Sequence, residues 1–195
     1  DVPTEPGPGA MEIYVEDTVA VAEATGATVL VGNSLGGAVA LTAIIENRLD
    51  VEGLVLVGSG ATLPIPEELS GLLETDFDRA IRFLHGRDRL FHDPDERVLE
   101  SSRSVMEAVG EAVTRRDFLT CDRFDVREQL DGIEVPTLAL TGEHDQLTPP
   151  AYHEYIATKV ENGEWTTLPD AAHLSMLEVP TAFNKTLARF LESIE

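Results

Sequence analysis

The chain has 195 residues, 43% of them hydrophobic and 6% aromatic, which is enough to fill one core. Its 36 acidic residues against 14 basic ones give a formal net charge of -22, and such a surface repels nucleic acid and anionic membranes. Its apolar runs, such as Gly53 to Gly58, are far shorter than the roughly 20 residues that cross a bilayer. No basic-then-apolar segment opens the sequence, so we expect a cytoplasmic protein with neither membrane nor nucleic-acid partners.

The acidic residues are dispersed along the chain, whereas Lys159 and Lys185 are its only lysines. This pattern resembles proteins of salt-in halophiles, whose self-repulsion is screened in molar salt because the Debye length falls to roughly 3 Å at 1 M. An ordinary acidic, solvated surface is the alternative. The single cysteine, Cys121, has no disulfide partner and no neighbours at metal-ligand spacing, so we expect it to be buried or half-buried.

The first part of the chain alternates helices with apolar strands. We predict a loop over 1–10, helices over 11–25 and 35–48, and strands over 28–33 and 53–58. Val15, Val19 and Ala22 fall at helical spacing in the first helix, and Gly26 ends it. Strands that are apolar along their whole length predict a parallel sheet covered by helices on both faces.

The middle of the chain lacks strong strand runs. Short helices are predicted over 67–73, 77–84, 95–109 and 110–119. Most phenylalanines lie in this part, at positions 77, 83, 91, 118 and 124. The segment predicts either a helical lid over a pocket or ordinary core packing.

The last part returns to the first pattern. Strands are predicted over 137–141 and 164–168, and helices after Pro149 and over 182–194. Thr148 is the predicted N-cap of the earlier helix, with proline in its first turn. The chain thus divides into core residues 1–60, a helical insert at 61–130 and core residues 131–195.

The stretch VLVGNSLGGAVAL, residues 29–41, joins a predicted strand to a predicted helix through Ser34. The spacing G-x-S-x-G suits a strained strand-to-helix corner that projects the serine, with Gly32 and Gly36 avoiding clashes on either side. A serine hydroxyl is a weak nucleophile at neutral pH and needs a base, which an acid must orient. Ser34 is therefore either a nucleophile or a small residue at a tight turn.

Two further side chains follow predicted strands. Asp145 lies in Gly142-Glu143-His144-Asp145, and His173 lies in the loop after the last predicted strand. Because catalytic groups gather beyond the carboxyl ends of parallel strands, we expect Ser34, Asp145 and His173 to project from one sheet edge. Their order in the chain, Ser then Asp then His, is that of the α/β-hydrolase template.

On these residues the sequence resembles the C-terminal part of an α/β-hydrolase fold protein. Ser34 matches the nucleophile elbow, Asp145 the acid after the penultimate strand, and His173 the base after the last strand. Residues 77–130 match the inserted helical cap, and Asp1-Val2-Pro3 resembles the D-x-P before the elbow helix. The resemblance implies an α/β fold with a mainly parallel sheet, covered by helices and lacking the N-terminal strands.

The resemblance also implies a serine hydrolase without a cofactor. His173 would take the Ser34 proton and deliver it to the leaving group, and Asp145 would hold and stabilise the imidazole. The backbone N–H of Leu35 would be one oxyanion donor. The expected substrate is a small apolar ester, lactone or thioester, or a diketone-like C–C bond, since Gly32-Asn33-Ser34 resembles the elbow of hydrolases that cleave ring-fission products. A serine nucleophile argues against the dehalogenase and epoxide-hydrolase branches, which use a carboxylate.

The remaining histidines receive simpler interpretations. His144 is expected at a solvent-facing turn, and His85 and His92 at the surface or the pocket wall. His153 begins a zinc-like H-E-x-x-H motif, but Ala157 replaces the second histidine, so no metal site is predicted. Three other acids near the end of the insert rival Asp145 but follow no strand: Asp122, Asp125 and Asp131.

The family's earlier strands, and the His-Gly segment that gives its second oxyanion N–H, have no counterpart in this sequence. The strand at 28–33 would then expose an apolar edge. We expect a fragment of a longer protein, or an edge that a second copy of the chain covers in a homo-oligomer. Two alternative functions stay open: a catalytically impaired α/β-hydrolase-like domain that binds a small apolar ligand or a partner, and a generic doubly wound binding domain.

Overall fold

A computed structural model describes residues 5–194. Four strands form one sheet in the order β1-β2-β3-β4, and each neighbouring pair is parallel. The strands are β1 Val29–Asn33, β2 Gly53–Val57, β3 Thr137–Gly142 and β4 Gly163–Leu168. In the register of the sheet, Val31 lies beside Val55 and Val55 beside Leu138. The predicted parallel sheet is confirmed.

The described part of the chain contains nine α-helices. They are α1 Pro8–Thr25, α2 Leu35–Ile45, α3 Glu67–Thr75, α4 Phe77–Leu84, α5 Glu96–Val109, α6 Glu111–Asp122, α7 Pro150–Lys159, α8 Ser175–Glu178 and α9 Pro180–Ile194, with a 3-10 turn at Leu130–Gly132. The loop predicted over 1–10 is wrong at 8–10, because Pro8 opens α1 at a position where its missing N–H costs no helical hydrogen bond. The start of that loop, 1–4, lies outside the described residues.

Helices cover both faces of the sheet. Leu54 and Leu56 pack in one apolar cluster with residues of α1, α2 and α7, whereas Val55 and Val57 pack in another with residues of α9. This alternation follows from the strand, in which successive side chains point to opposite faces. Every residue of β2 is buried, as the apolar sequence predicted.

The insert forms a helical layer with its own apolar cluster. Phe83 and Phe91 pack there, and Phe118 both packs against the cluster and lines a cavity. By contrast, α5 has no buried residue, and Val105 on it is 60% exposed. Residues of α3 and α4 thus form a packed core, and residues of α5 line a cavity, so the lid stays a prediction.

Strand β1 forms one edge of the sheet among the described residues. Its Val31 is 52% exposed, which agrees with the expected apolar edge. None of the helices between residues 5 and 194 is both long and apolar enough to cross a membrane.

Candidate active site

Ser34 occupies the corner between β1 and α2. Its backbone is in the left-handed region, with φ 52° and ψ -117°, which is strained for any residue other than glycine. The Ser34 N–H donates to the carbonyl of Val57 over 2.9 Å, and its carbonyl accepts from the N–H of Gly37 over 2.9 Å. The Ser59 hydroxyl also donates to the Ser34 carbonyl over 2.9 Å. The strained conformation is therefore held from the neighbouring strand as well as from its own helix.

Two glycines permit this corner for steric reasons. A Cβ atom on Gly32 would lie 2.3 Å from the carbonyl oxygen of Gly36, and one on Gly37 would lie 2.4 Å from the hydroxyl oxygen of Ser59. A Cβ on Gly36 would meet no described atom within 4 Å. The expectation that Gly36 avoids a clash is therefore wrong among the described residues. Gly37 is the position after Ser34 at which a side chain would clash.

Asp145 and His173 form a buried pair. The Nδ1 atom of His173 lies 2.9 Å from Oδ2 of Asp145. Asp145 is 2% exposed and His173 3% exposed. Both follow the carboxyl ends of their strands, Asp145 after β3 and His173 after β4, so the parallel sheet explains why residues distant in sequence meet.

Four further hydrogen bonds hold the Asp145 carboxylate. Thr141 and Thr148 donate their hydroxyls to Oδ2, and the N–H groups of Leu147 and Thr148 donate to Oδ1. Burial raises the pKa of Asp145, but attraction to His173 and the hydrogen bonds from His173 and Thr148 outweigh it, so the pKa lies below its ordinary value. Asp145 is therefore ionised at neutral pH.

Thr148 has a different role from the one predicted. The residue that caps α7 is Pro149, and no side chain caps the helix. The Thr148 hydroxyl points instead to Asp145, over 2.7 Å, and lies 3.2 Å from Nδ1 of His173. The predicted N-cap is therefore wrong, because the carboxylate is the stronger acceptor for this hydroxyl.

The partners of His173 fix its tautomer. Nδ1 faces the Asp145 carboxylate, which only accepts, so Nδ1 carries the proton and Nε2 is left as a basic nitrogen. Ser34 and His173 line the same cavity, and no hydrogen bond joins them among the described residues. Catalytic hydrogen bonds are often long in unliganded sites and tighten with substrate.

The cavity that contains Ser34 and His173 has a volume of about 710 Å³. Much of its wall is apolar, including Leu63, Ile65, Val98, Met106, Phe118 and Leu174. This volume falls within the range of small-molecule sites, roughly 300–1,000 Å³. The site can therefore hold a small apolar molecule beside the serine.

Leu35 is the first residue of α2. The N–H groups of the first helical turn have no acceptor within their own helix, and they lie at the positive end of the helix dipole. The Leu35 N–H is thus available beside Ser34 for an oxygen that gains negative charge.

The sequence did not predict the roles of Ser59 and His153, two buried residues that support the elbow. The Ser59 N–H donates to Nε2 of His153 over 3.1 Å, and Nδ1 of His153 faces the carbonyl of Pro149. His153 is fully buried, and this desolvation lowers its pKa from 6.5 to about 4. A neutral histidine thus supports Ser59, which in turn binds the carbonyl of Ser34.

His153 makes stability depend on pH in a defined direction. Below pH 6.5 the unfolded chain takes up a proton at His153, whereas the folded chain does so only near pH 4, so stability falls as the pH is lowered through that window. We expect His153 to lower the free energy of unfolding by about 2 kcal/mol between pH 7 and pH 5. Urea unfolding at the two pH values should show a smaller decrease in the free energy of unfolding for His153→Asn than for the native chain. Equal losses in the two proteins would contradict this.

A group of possible metal ligands lies beside the site. Asp88, His92 and His144 place one ligand atom each within 4.8 Å of one another, as do Glu143, His144 and Asp170. The rings of His92 and His144 are stacked, with centroids 3.7 Å apart and planes 11° apart. Lone pairs in two parallel stacked rings do not converge on one ion, so this arrangement favours stacking over coordination.

Other positions singled out in the sequence make no hydrogen bond to Ser34, Asp145 or His173 within residues 5–194. The expectation for His85 is wrong, because it is buried between the Ile81 carbonyl and the Ser102 hydroxyl. Asp122 accepts from the N–H of Ile65, and Asp125 pairs with Arg127. Cys121 is buried as expected, and desolvation raises its pKa to about 12, which makes its thiol a poor nucleophile.

Comparison with known proteins agrees with this geometry. The profile of the Alpha/beta hydrolase family matches residues 3–186. The pimeloyl-[acyl-carrier protein] methyl ester esterase of Neisseria meningitidis is 30% identical over 193 residues, covering 91% of this chain and 61% of that protein. The 2-hydroxy-6-oxo-6-(2'-aminophenyl)hexa-2,4-dienoic acid hydrolase of Metapseudomonas resinovorans is 27% identical, covering 91% of this chain and 64% of that protein.

Among solved structures, a thermophilic esterase has a TM-score of 0.85 and 34% identity, covering 94% of this chain and 73% of that one. The chain therefore belongs to the alpha/beta hydrolase family. It spans 61% of the length of the Neisseria relative.

Proposed function

We propose that the protein is a serine hydrolase that cleaves a small carboxylic ester with an apolar acyl group through an acyl-serine intermediate. One observation carries the proposal: Nδ1 of His173 is hydrogen-bonded to the buried Asp145 carboxylate, and His173 and the strained Ser34 line the same cavity. An oriented imidazole beside a projecting serine is the arrangement that activates a hydroxyl nucleophile.

Each proposed role follows from the contacts. Nε2 of His173 accepts the Ser34 hydroxyl proton as Oγ attacks the carbonyl carbon, and the resulting imidazolium is stabilised by Asp145. The Leu35 N–H donates to the oxyanion. His173 then gives the proton to the departing alkoxide. In the second half of the reaction His173 takes a proton from water as its oxygen attacks the acyl-serine, and it returns a proton to Ser34 Oγ as the carboxylic acid leaves.

The cavity supports an apolar acyl chain. Val98, Val105, Met106 and Val109 of α5 line it, and none of them is buried, so a bound chain would cover apolar surface that is now exposed. Each buried methylene contributes about 0.8 kcal/mol. The Metapseudomonas resinovorans relative is named as the hydrolase of a 6-oxo dienoic acid, so C–C bonds of diketone-like compounds are a neighbouring substrate class, beside the lactones that the sequence predicts.

The proposal is tested by p-nitrophenyl esters of increasing acyl length, in molar KCl because of the charge of -22. We expect kcat/KM to rise from the acetate by up to about fourfold for each added methylene, until the cavity is filled. A Ser104→Ala variant, changed at an exposed serine of α5, should match the native protein. A folded protein that hydrolyses no ester, lactone or diketone would overturn the proposal and favour the binding domain.

A further inference from the structure

A short segment of the insert contacts the loops of both Asp145 and His173. This segment, residues 88–93 between α4 and α5, is called the strap below. The Asp88 carbonyl accepts from the N–H of Gln146, next to Asp145, over 2.9 Å. The carbonyls of Arg89 and Leu90 accept from the N–H groups of His173 and Leu174, over 3.2 and 2.9 Å. The strap is thus hydrogen-bonded to the backbone of the proposed base itself.

Glu178 joins the strap to the His173 loop a second time. Its Oε1 accepts from the N–H groups of His92 and Asp93, over 2.8 and 3.0 Å. Its Oε2 accepts from the N–H of Ala172, over 2.8 Å. The side chain is half-buried at the end of α8, so one carboxylate ties the residue before His173 to the insert.

Both oxygens of Glu178 are acceptors, and this arrangement requires a carboxylate. Glutamine has the same shape but only one acceptor oxygen, and its NH₂ group would face an N–H on one of the two sides. Glu178→Gln therefore breaks the hydrogen bonds to either the strap or Ala172, with almost no change of side-chain volume. Aspartate keeps the charge but is one methylene shorter, so it cannot span both segments as the glutamate does.

We propose that Glu178 is a positioning residue that fixes the His173 ring against Ser34 by clamping the strap to the His173 loop. The proposal rests on the proposed hydrolase function. Hydrogen bonds to the backbone on both sides of His173, at Ala172 and Leu174, leave the loop little freedom to shift its ring. A displacement of about 1 Å in a reacting group can cost roughly 100-fold in rate. Opening the clamp therefore acts on kcat more than on substrate binding, because Glu178 does not line the cavity.

The test compares Glu178→Gln and Glu178→Asp with Glu192→Gln, which changes an exposed carboxylate on α9. We expect kcat for a p-nitrophenyl ester to fall roughly 10- to 100-fold in both Glu178 variants, with KM changed less than twofold. Tm should fall by only a few degrees, because a backbone N–H such as that of the buried Ala172 loses its acceptor. Glu192→Gln should retain the native kcat. Unchanged kcat in a folded Glu178→Gln protein, or a kcat that falls only as the folded fraction falls, would overturn the proposal.

A second readout separates this proposal from the hydrolase function. The Nδ1–H proton of His173, bonded to Asp145, is expected as a downfield proton resonance that His173→Gln removes. In Glu178→Gln that resonance should shift or broaden, and the Ala172 amide should exchange faster with deuterium. If the native chain proves inactive, these two measurements still decide the role of Glu178, since an unchanged resonance and amide would overturn it.

Discussion

Replacing Ser34 with alanine is expected to lower kcat for ester hydrolysis by roughly 10⁵- to 10⁶-fold. The variant keeps the elbow but loses the hydroxyl that would attack the substrate. KM should change little, because the apolar wall that binds the acyl chain is intact. Tm should also change little, since the contacts that hold the corner are made by the backbone of Ser34 and by Ser59. Steady-state rates with the best p-nitrophenyl ester measure the effect.

Ser104→Ala is the matched control for this change. Ser104 is exposed on α5 and does not line the cavity that contains Ser34. A Ser34→Ala protein that is folded and hydrolyses the ester within tenfold of the native rate would show that another group is the nucleophile.

Asp145→Asn is expected to lower kcat/KM by about 10⁴-fold. The asparagine oxygen can still accept from Leu147 and Thr148, but its NH₂ group then faces Nδ1 of His173. The imidazole would turn to the tautomer with its proton on Nε2, and it could no longer take the proton of Ser34. The decrease in kcat/KM should appear with every ester, because the substitution affects His173 and not the apolar wall of the cavity.

Asp125→Asn is the control for Asp145→Asn. Asp125 was one of the rival acids in the sequence, and it pairs with Arg127 on the surface. Its pKa is lowered, first by the side-chain hydrogen bond from Arg127, so it is a charged carboxylate like Asp145. We expect a native rate for this variant. A large decrease in kcat/KM with Asp125→Asn and none with Asp145→Asn would show that Asp125, and not Asp145, is the acid that orients His173.

The sequence predicted the sheet because its two central strands, β2 and β3, are largely apolar. β2 and β3 are buried at every position, and such strands need helices on both faces. Ser34, Asp145 and His173 could be proposed because each follows a strand, and parallel strands bring their carboxyl ends to one edge.

Other features of the site depend on contacts that no local pattern records. Thr148 appeared to be an N-cap because it precedes two prolines, yet its hydroxyl binds Asp145. His153 begins an incomplete zinc-like motif that predicts no role for it, yet it is a neutral side chain that accepts from the N–H of Ser59. Glu178 reaches residues 85 and 86 positions earlier in the chain, and only the folded structure places them together.

The central claim is that His173 and Asp145 activate Ser34, and a fluorophosphonate probe measures this most directly. The native protein, treated in molar KCl, should gain one phosphonyl adduct, and peptide mass spectrometry should place it on Ser34. Ser34→Ala and His173→Gln should gain none under the same conditions. A folded native chain that stays unlabelled, or an adduct on any residue other than Ser34, would contradict the account.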